Sequence, residues 1–284
     1  MLIDLQLHST YSDGYLTPTK LVEFIAKQGV KVAALTDHNT VGGLYEFRQA
    51  CKEFKIKSIT GVEFYVKLRN KKFNILWYNF DDERPELHDI LRDSQARRKN
   101  KMRRSLLRLE NLGFKINTEK ILDKYNHYVP LNHVVDDILS IPFNKAKIKK
   151  DLKNKTPQEN EIINHYFKNL KIGVLYESYI NLDCILKLRK KIGGQLILNH
   201  PAKNRYIKED TWRELKKLGI DGVEVLSPHH SFNAIMYIQY LAKNFEFVTT
   251  GGSDFHRFDN DLINNSWQYF KIDIKYLKNI NKII

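Results

Sequence analysis

The chain has 284 residues, 42% of them apolar, and a formal net charge of +14 at pH 7. This size allows a large hydrophobic core, in one α/β domain or in a domain with an insertion, and no apolar run reaches the roughly 18 residues that span a bilayer. The basic surface would attract a polyanionic substrate, although lysine-rich usage across a whole proteome would give the same charge.

The first 80 residues alternate between strand and helix patterns. Residues 2–7 alternate and are a predicted strand. Thr17 and Pro18 are typical of a helix start, and the apolar spacing that follows from Leu21 predicts a helix. Further elements are predicted as strands at 30–35, 57–64 and 73–78, and as a helix at 41–54.

The pattern changes near residue 83. Pro85 opens a long helical pattern, and residues 118–170 are polar, lysine-rich and mostly helical, without strand–helix alternation. We therefore predict a helical insertion domain at 85–170, which separates the two parts of a barrel domain, 1–84 and 171–284. The run from Lys145 to Lys155 is expected to be a solvated connection.

Strand–helix alternation returns in the last third of the chain. Strands are predicted at 196–198, 222–225 and 245–249, and helices at 209–218 and 231–243. Strands separated by helices at this spacing imply parallel βα units, and many such units favour an α/β fold of the TIM-like barrel type. The active site of such a barrel lies at the carboxyl ends of its strands.

Histidines and carboxylates follow the predicted strands at several points along the chain. They are His8, Asp13, His38, Glu63, His200, Asp254 and His256. A single histidine at a strand end is more often a structural hydrogen-bonding residue, but a barrel would bring all seven side chains to one rim. Grouping the carboxylates there without a cation would be costly. Since imidazole and carboxylate bind transition metals, we predict one centre of divalent metals.

Five segments resemble the signature motifs of the PHP (polymerase and histidinol phosphatase) superfamily. They are Asp4–Gly14, Leu35–Thr40, Gly61–Glu63, Asn199–Pro201 and Gly252–His256. The long insertion and the segment Asp221–Val225 resemble one branch, that of nucleoside 3′,5′-bisphosphate phosphatases and 5′-3′ exoribonucleases. The resemblance implies a distorted (βα)7 barrel and a metal-dependent hydrolase acting on a phosphate ester of a nucleotide or short oligonucleotide.

The resemblance also implies up to three divalent metals, and manganese, zinc and iron all suit such mixed nitrogen and oxygen ligands. The implied ligands are Asp13, His38 and His256 for one metal; His8, Glu63, Asp254 and position 6 for a second; and Glu63, His200 and position 74 for a third. The family usually has histidine at both numbered positions, where Gln6 and Asn74 stand here. We expect these two sites to be weakened or altered.

Catalysis in this interpretation depends on water bound to the metal, whose pKa falls from about 16 to about 7. The predicted catalytic residues are His256, Asp254, Glu63 and His230. The proton for the leaving group could come from His256, from His230 or from metal-bound water. Predicted phosphate contacts are Lys203, which stands where the family often has an arginine, and Arg97, Arg104 and His133 in the insertion.

Two other functions stay open: a phosphatase of a small metabolite such as histidinol phosphate, and a degenerate PHP module that binds nucleic acid without catalysis. We infer neither a membrane nor an obligate protein partner. Cys51 and Cys184 lie in apolar helical patterns and are predicted to be buried thiols. Nothing indicates an oxidising compartment, and His8 comes too early to follow a cleaved signal peptide, so we expect a cytoplasmic protein.

Overall fold

The computed structural model describes residues 1–203, 207–258 and 272–284. The chain forms two compact units: Met1–Ile90 together with Tyr179–Ile284, and Leu91–Ser178. We propose that the second unit is the insertion domain, with boundaries a few residues later than 85–170.

The described part of the first unit contains nine strands. They are β1 Leu2–Leu7, β2 Val32–Leu35, β3 Lys57–Leu68, β4 Lys71–Tyr78, β5 Ile180–Asn181, β6 Gln195–Leu198, β7 Gly222–Leu226, β8 Val248–Gly251 and β9 Ile272–Asp273. Their order in the sheet is β8-β7-β6-β4-β3-β2-β1-β9, and β5 pairs with β3. Seven strands, all except the two-residue β5 and β9, therefore form the main sheet.

The sheet is nearly closed, as the predicted TIM-like barrel requires. Leu7 at the end of β1 forms a parallel bridge with Phe255, which follows β8. The His8 N–H donates to the Phe255 carbonyl oxygen at 3.0 Å. The two ends of the seven-stranded order thus meet beside the residues predicted to bind metal.

Within the seven-stranded main sheet, one strand departs from the parallel βα pattern. β4 runs antiparallel to both of its neighbours, β3 and β6. Only Arg69 and Asn70 separate β3 from β4, which is too short a connection for a crossover helix. The parallel βα pattern therefore does not extend to this hairpin.

The helices have the following bounds: α1 Pro18–Lys27, α2 Leu44–Glu53, α3 Pro85–Asn111, α4 Thr118–Leu122, α5 Leu131–Leu139, α6 Pro142–Asp151, α7 Glu159–Ile162, α8 Leu182–Ile192, α9 Glu209–Lys217 and α10 Phe232–Asn244. The predicted start of α1 is confirmed, since the Thr17 side chain accepts from the Lys20 N–H and Pro18 follows. The predicted strand at 245–249 begins only at Val248, because Phe245 caps α10 and Glu246 is left-handed with φ +51°.

Each unit has its own core. The barrel interior holds apolar side chains from facing strands, including Leu5, Ala34, Leu76 and Ile197. The core of the second unit includes Met102, Leu106, Val134, Ile148 and Phe167. Residues 145–151 belong to α6, whose Ile148 is fully buried, so this part of the run 145–155 is not a connection, although most of its lysines are solvent-exposed as predicted.

The two cysteines differ in exposure. Cys51 on α2 is buried, as predicted, whereas Cys184 on α8 is exposed. The prediction fails for Cys184 because the buried face of α8 is formed by Leu182, Ile185 and Leu188.

Within the described residues, no helix combines the length and the apolar character that a bilayer crossing requires.

Gly252 allows β8 to approach β1 beside the site. A Cβ atom at this position would lie 2.3 Å from Gln6 Cβ and 2.5 Å from the Gln6 nitrogen. We expect Gly252→Ala to lower the free energy of unfolding by about 1–3 kcal/mol, because part of this clash is with backbone that must shift. Urea unfolding of both proteins measures this difference, and an unchanged midpoint would contradict the close approach.

Candidate metal centre

Four side chains that follow β1, β2 and β8 converge on one point. The ligand atoms of His8, Asp13, His38 and His256 all lie within 4.8 Å of one another. The Asp13 carboxylate lies 3.3 Å from His256 Nε2, 3.5 Å from His38 Nε2 and 3.6 Å from His8 Nδ1. Ligand atoms held about 2 Å from one cation in a tetrahedron lie about 3.3 Å apart, so these residues fit a metal ion.

His8 provides a second sign of a cation site. The residue is fully buried, and neither ring nitrogen makes a well-formed hydrogen bond with the described residues. Its Nε2 lies 3.2 Å from one oxygen each of Glu63 and Asp254. A buried polar group without hydrogen bonds is unfavourable, and a metal ion would satisfy the imidazole lone pair.

The tautomer of His256 is consistent with a ligand role. Its Nδ1 lies 2.6 Å from the backbone oxygen of Asp254, which can only accept a hydrogen bond. The proton therefore belongs on Nδ1, and the lone pair of Nε2 points toward Asp13. Hydrogen bonds of this kind orient the imidazole ligands of metals.

Glu63 lies between the two sites that the sequence predicts to be altered. Its Oε1 accepts from Asn74 Nδ2 at 2.5 Å and lies 3.4 Å from His200 Nε2. Its Oε2 lies 3.2 Å from both Gln6 Nε2 and His8 Nε2. Together with His8 and Asp254, Glu63 forms a second group whose ligand atoms lie within 4.8 Å of one another.

The surrounding positive charges keep the buried carboxylates ionised. Burial by itself raises the pKa of Glu63, but the charge of His38 and the hydrogen bond from His200 bring that pKa well below its usual range. Burial opposes ionisation of Asp254 in the same way, and the charge of Lys203 lowers its pKa well below the usual range. Glu63 and Asp254 are therefore ionised at neutral pH.

Unusual backbone conformations position several of these residues. Asn39, His200 and Asp254 have φ angles of +49°, +21° and +51°, in the region that residues other than glycine rarely adopt. The His200 N–H donates to Oε2 of the fully buried Glu224 at 3.2 Å. Such strained residues cluster at functional sites, which supports a functional role for this rim.

The structure separates the paired histidines that follow β7. His229 Nε2 lies 2.5 Å from Asp254 Oδ2. His230, the predicted catalytic residue, has Nδ1 2.8 Å from the Val225 carbonyl oxygen and accepts from the Ala202 N–H through Nε2. The sequence predicts a catalytic role for His230, whereas the structure places His229 beside Asp254.

Tyr65 also lies at the centre, although the sequence motifs did not identify it. Its ring stacks on that of His38 with centroids 4.5 Å apart, and its hydroxyl lies 3.1 Å from His38 Nε2. The available signal was the period of two in β3, which places Tyr65 on the same face as Glu63.

The predicted phosphate-binding residues lie in different parts of the chain. Lys203 Nζ lies 3.0 Å from Asp254 Oδ2, at the centre. Arg97, Arg104 and His133 belong to the second unit, where Arg97 Nε donates to Ser178 Oγ at 3.2 Å and Arg104 is exposed. The phosphate-binding role of all four stays a prediction.

A cavity of about 470 Å³ adjoins the centre at Asn74 and His200. Its other lining residues include the aromatic Phe73 and Tyr179 and the basic Lys71, Lys72 and Lys208. The Lys72 ammonium lies 5.1 Å from the centroid of the Tyr179 ring. Aromatic rings and ammonium groups can contact a base and its phosphates.

Comparison with known proteins identifies relatives along most of the chain. The PHP domain family matches residues 4–218. The chain is 28% identical over 258 residues to the 5′-3′ exoribonuclease of Haemophilus influenzae, covering 89% of both chains. It is 26% identical over 261 residues to the phosphoribosyl 1,2-cyclic phosphate 1,2-diphosphodiesterase of Eggerthella lenta, covering 90% of this chain and 94% of the relative.

A third relative is the 3′,5′-nucleoside bisphosphate phosphatase of Chromobacterium violaceum, 26% identical over 267 residues, covering 89% of this chain and 87% of the relative. Among solved structures, a Bifidobacterium adolescentis protein, whose assignment as a metal-dependent phosphoesterase is itself inferred, superimposes with a TM-score of 0.74. That match covers 96% of this chain and 98% of the other at 19% identity, which establishes the shared fold.

Proposed function

The chain belongs to the PHP domain family, and on that basis we propose that it is a metal-dependent phosphoesterase acting on a nucleotide or the end of a short oligonucleotide. The observation that carries the proposal is the convergence of His8, Asp13, His38 and His256, with ligand atoms within 4.8 Å of one another. A degenerate module would have no need to keep this arrangement complete.

The chain's own residues suit each part of the reaction. A divalent cation bound at this point would lower the pKa of a coordinated water to about 7 and would polarise a phosphoryl oxygen. His8, Asp13, His38 and His256 would hold that cation. Lys203 places a positive charge beside Asp254, where it can neutralise a phosphoryl oxygen of the substrate.

The leaving group needs a proton, and hydrogen bonds narrow the choice of donor. His256 directs Nε2 toward the metal position, and both ring nitrogens of His230 contact backbone groups. We assign the proton donor to His229, whose side chain is 32% exposed and adjoins Asp254. Its partial exposure allows exchange of the proton with solvent after each turnover.

Three features support a nucleotide as the substrate. The cavity beside His200 combines aromatic and basic side chains. The net charge of +14 favours an anionic ligand. The names of all three relatives concern phosphate esters of ribonucleic acid, phosphoribose or nucleosides.

The test is a metal-dependent substrate comparison. We expect purified protein with Mn²⁺ to release phosphate or mononucleotides from adenosine 3′,5′-bisphosphate or a 5′-phosphorylated oligoribonucleotide, faster than phosphate from histidinol phosphate. Chelation should abolish release, and added Mn²⁺ should restore it, because the nucleophile would be a water whose pKa the cation lowers.

Two outcomes would overturn this proposal. Faster hydrolysis of histidinol phosphate would favour the small-metabolite phosphatase. Salt-sensitive RNA binding without hydrolysis in Mn²⁺ would favour the non-catalytic module, for which Gln6 and Asn74 are the supporting substitutions.

A further inference from the structure

The carboxylate predicted to hold a second metal is already surrounded by protein donors. Asp254 Oδ1 accepts from Gln6 Nε2 at 2.8 Å and lies 3.2 Å from His8 Nε2. Its Oδ2 lies 3.0 Å from Lys203 Nζ and 2.5 Å from His229 Nε2. Three of these nitrogens, those of Gln6, Lys203 and His229, are hydrogen-bonded to a carboxylate that has about four lone-pair sites, so most of its capacity is already used by protein groups.

Gln6 links this carboxylate to Glu63. Its side chain is fully buried, and its Nε2 lies 2.8 Å from Asp254 Oδ1 and 3.2 Å from Glu63 Oε2. The opposite amide orientation would direct Oε1 at two carboxylate oxygens, which is repulsive unless a cation lies between them. Gln6 therefore either donates to both carboxylates or shares a cation with them.

Two observations favour the first alternative. Lys203 already supplies a positive charge at Asp254, with its Nζ 3.0 Å from Oδ2. Asn74 likewise donates to Glu63 Oε1. Glu63 and Asp254 are thus surrounded by one ammonium group and two amide donors. They need less positive charge from a bound cation than two carboxylates that have only imidazole neighbours. An amide oxygen is also a poorer partner than imidazole for the metals that bind nitrogen.

Asp13 has a different environment. The nitrogen atoms that approach it from His8, His38 and His256 are all imidazole nitrogens, at 3.3–3.6 Å. Neutral imidazole nitrogens offer lone pairs to a metal, whereas an ammonium or an amide N–H₂ does not. The two neighbouring groups of ligand residues therefore differ in the chemistry of the donors that surround their carboxylates.

We propose that this chain binds one divalent cation tightly, at His8, Asp13, His38 and His256, and that Gln6 and Lys203 replace a second ion between Glu63 and Asp254. The role of the first ion rests on the proposed function. The Lys203 ammonium would supply the charge that neutralises the substrate phosphate, in place of a second metal.

The direct test counts the ions that bind to the full chain. Equilibrium dialysis against Mn²⁺, with elemental analysis, should give one tight ion per wild-type chain and a second at least about 100-fold weaker. Gln6→His restores imidazole beside Glu63 and Asp254, and it should bring the count of tight ions to two. Gln239→His places a new histidine on the exposed face of α10 and should leave the count at one.

Lys203→Met provides a second variant, because it removes the ammonium from Asp254 without adding a ligand. We expect it to bring the affinity for the second ion closer to that for the first. Two tight ions in wild-type protein would overturn the proposal, as would a folded Gln6→His protein that still binds one. If the wild-type protein bound two ions tightly and hydrolysed the substrate, the proposed function would stand and only this inference would fail. If it bound no ion and showed no hydrolysis, the proposed function and this inference would both fail.

Discussion

We expect His256→Ala to lower kcat/KM for phosphate-ester hydrolysis by at least about 100-fold. His256 contributes an imidazole 3.3 Å from Asp13, and its ring stacks on that of His8 with centroids 4.2 Å apart. Mutations of residues that merely orient metal ligands commonly reduce activity or metal affinity 10- to 100-fold, so loss of a ligand should have at least this effect. Initial rates in Mn²⁺ with a nucleotide substrate measure the change.

The matched control is His88→Ala. His88 is a half-buried histidine on α3, and it is not among the residues that converge on the centre. Its loss should leave kcat/KM unchanged. If His256→Ala retained full turnover while Mn²⁺ binding was also unchanged, the ligand role assigned to His256 would be rejected.

The second large effect concerns stability. We expect Glu63→Ala to lower the free energy of unfolding of the metal-free protein by about 3–5 kcal/mol. Glu63 is fully buried, and its oxygens accept from the side-chain amides of Gln6 and Asn74. Removing the carboxylate leaves those donors and nearby imidazoles without their acceptor in a buried site. Urea unfolding in the presence of a chelator measures this difference without a contribution from bound metal.

A surface glutamate provides the comparison. Glu214 on α9 pairs with the exposed side chains of Arg69 and Lys71. Because solvent screens such pairs, Glu214→Ala should lower the free energy of unfolding far less than Glu63→Ala does. Equal losses in the two variants would show that Glu63 is not the buried acceptor at the middle of this centre.

Much of the barrel was predictable because each element carries a local signal. Alternating residues predicted β1, and the Thr17-Pro18 pair predicted the start of α1. β4 shows the limit of such signals. Its apolar pattern predicted a strand, but a buried strand pattern contains no direction, and the sheet pairs it antiparallel to both neighbours.

The candidate site shows a similar division. Histidines and carboxylates at strand ends were identifiable because a barrel brings those ends to one rim. The choice between His229 and His230 could not be predicted, because the direction of each ring depends on how the chain turns after β7. There, contacts with Val225 and Ala202 direct one ring to the backbone and leave the other beside Asp254.

The sequence by itself determined the family, the strand-and-helix framework and the residue types available to bind a metal. Only the tertiary structure decided that Gln6 and Lys203 direct their nitrogen atoms at the oxygens of Asp254. The physical reason is that donors and acceptors separated by 51 residues or more become partners only through the closure of the sheet. Local patterns report which groups a chain contains, whereas the charge balance of a buried site depends on which groups finally face one another.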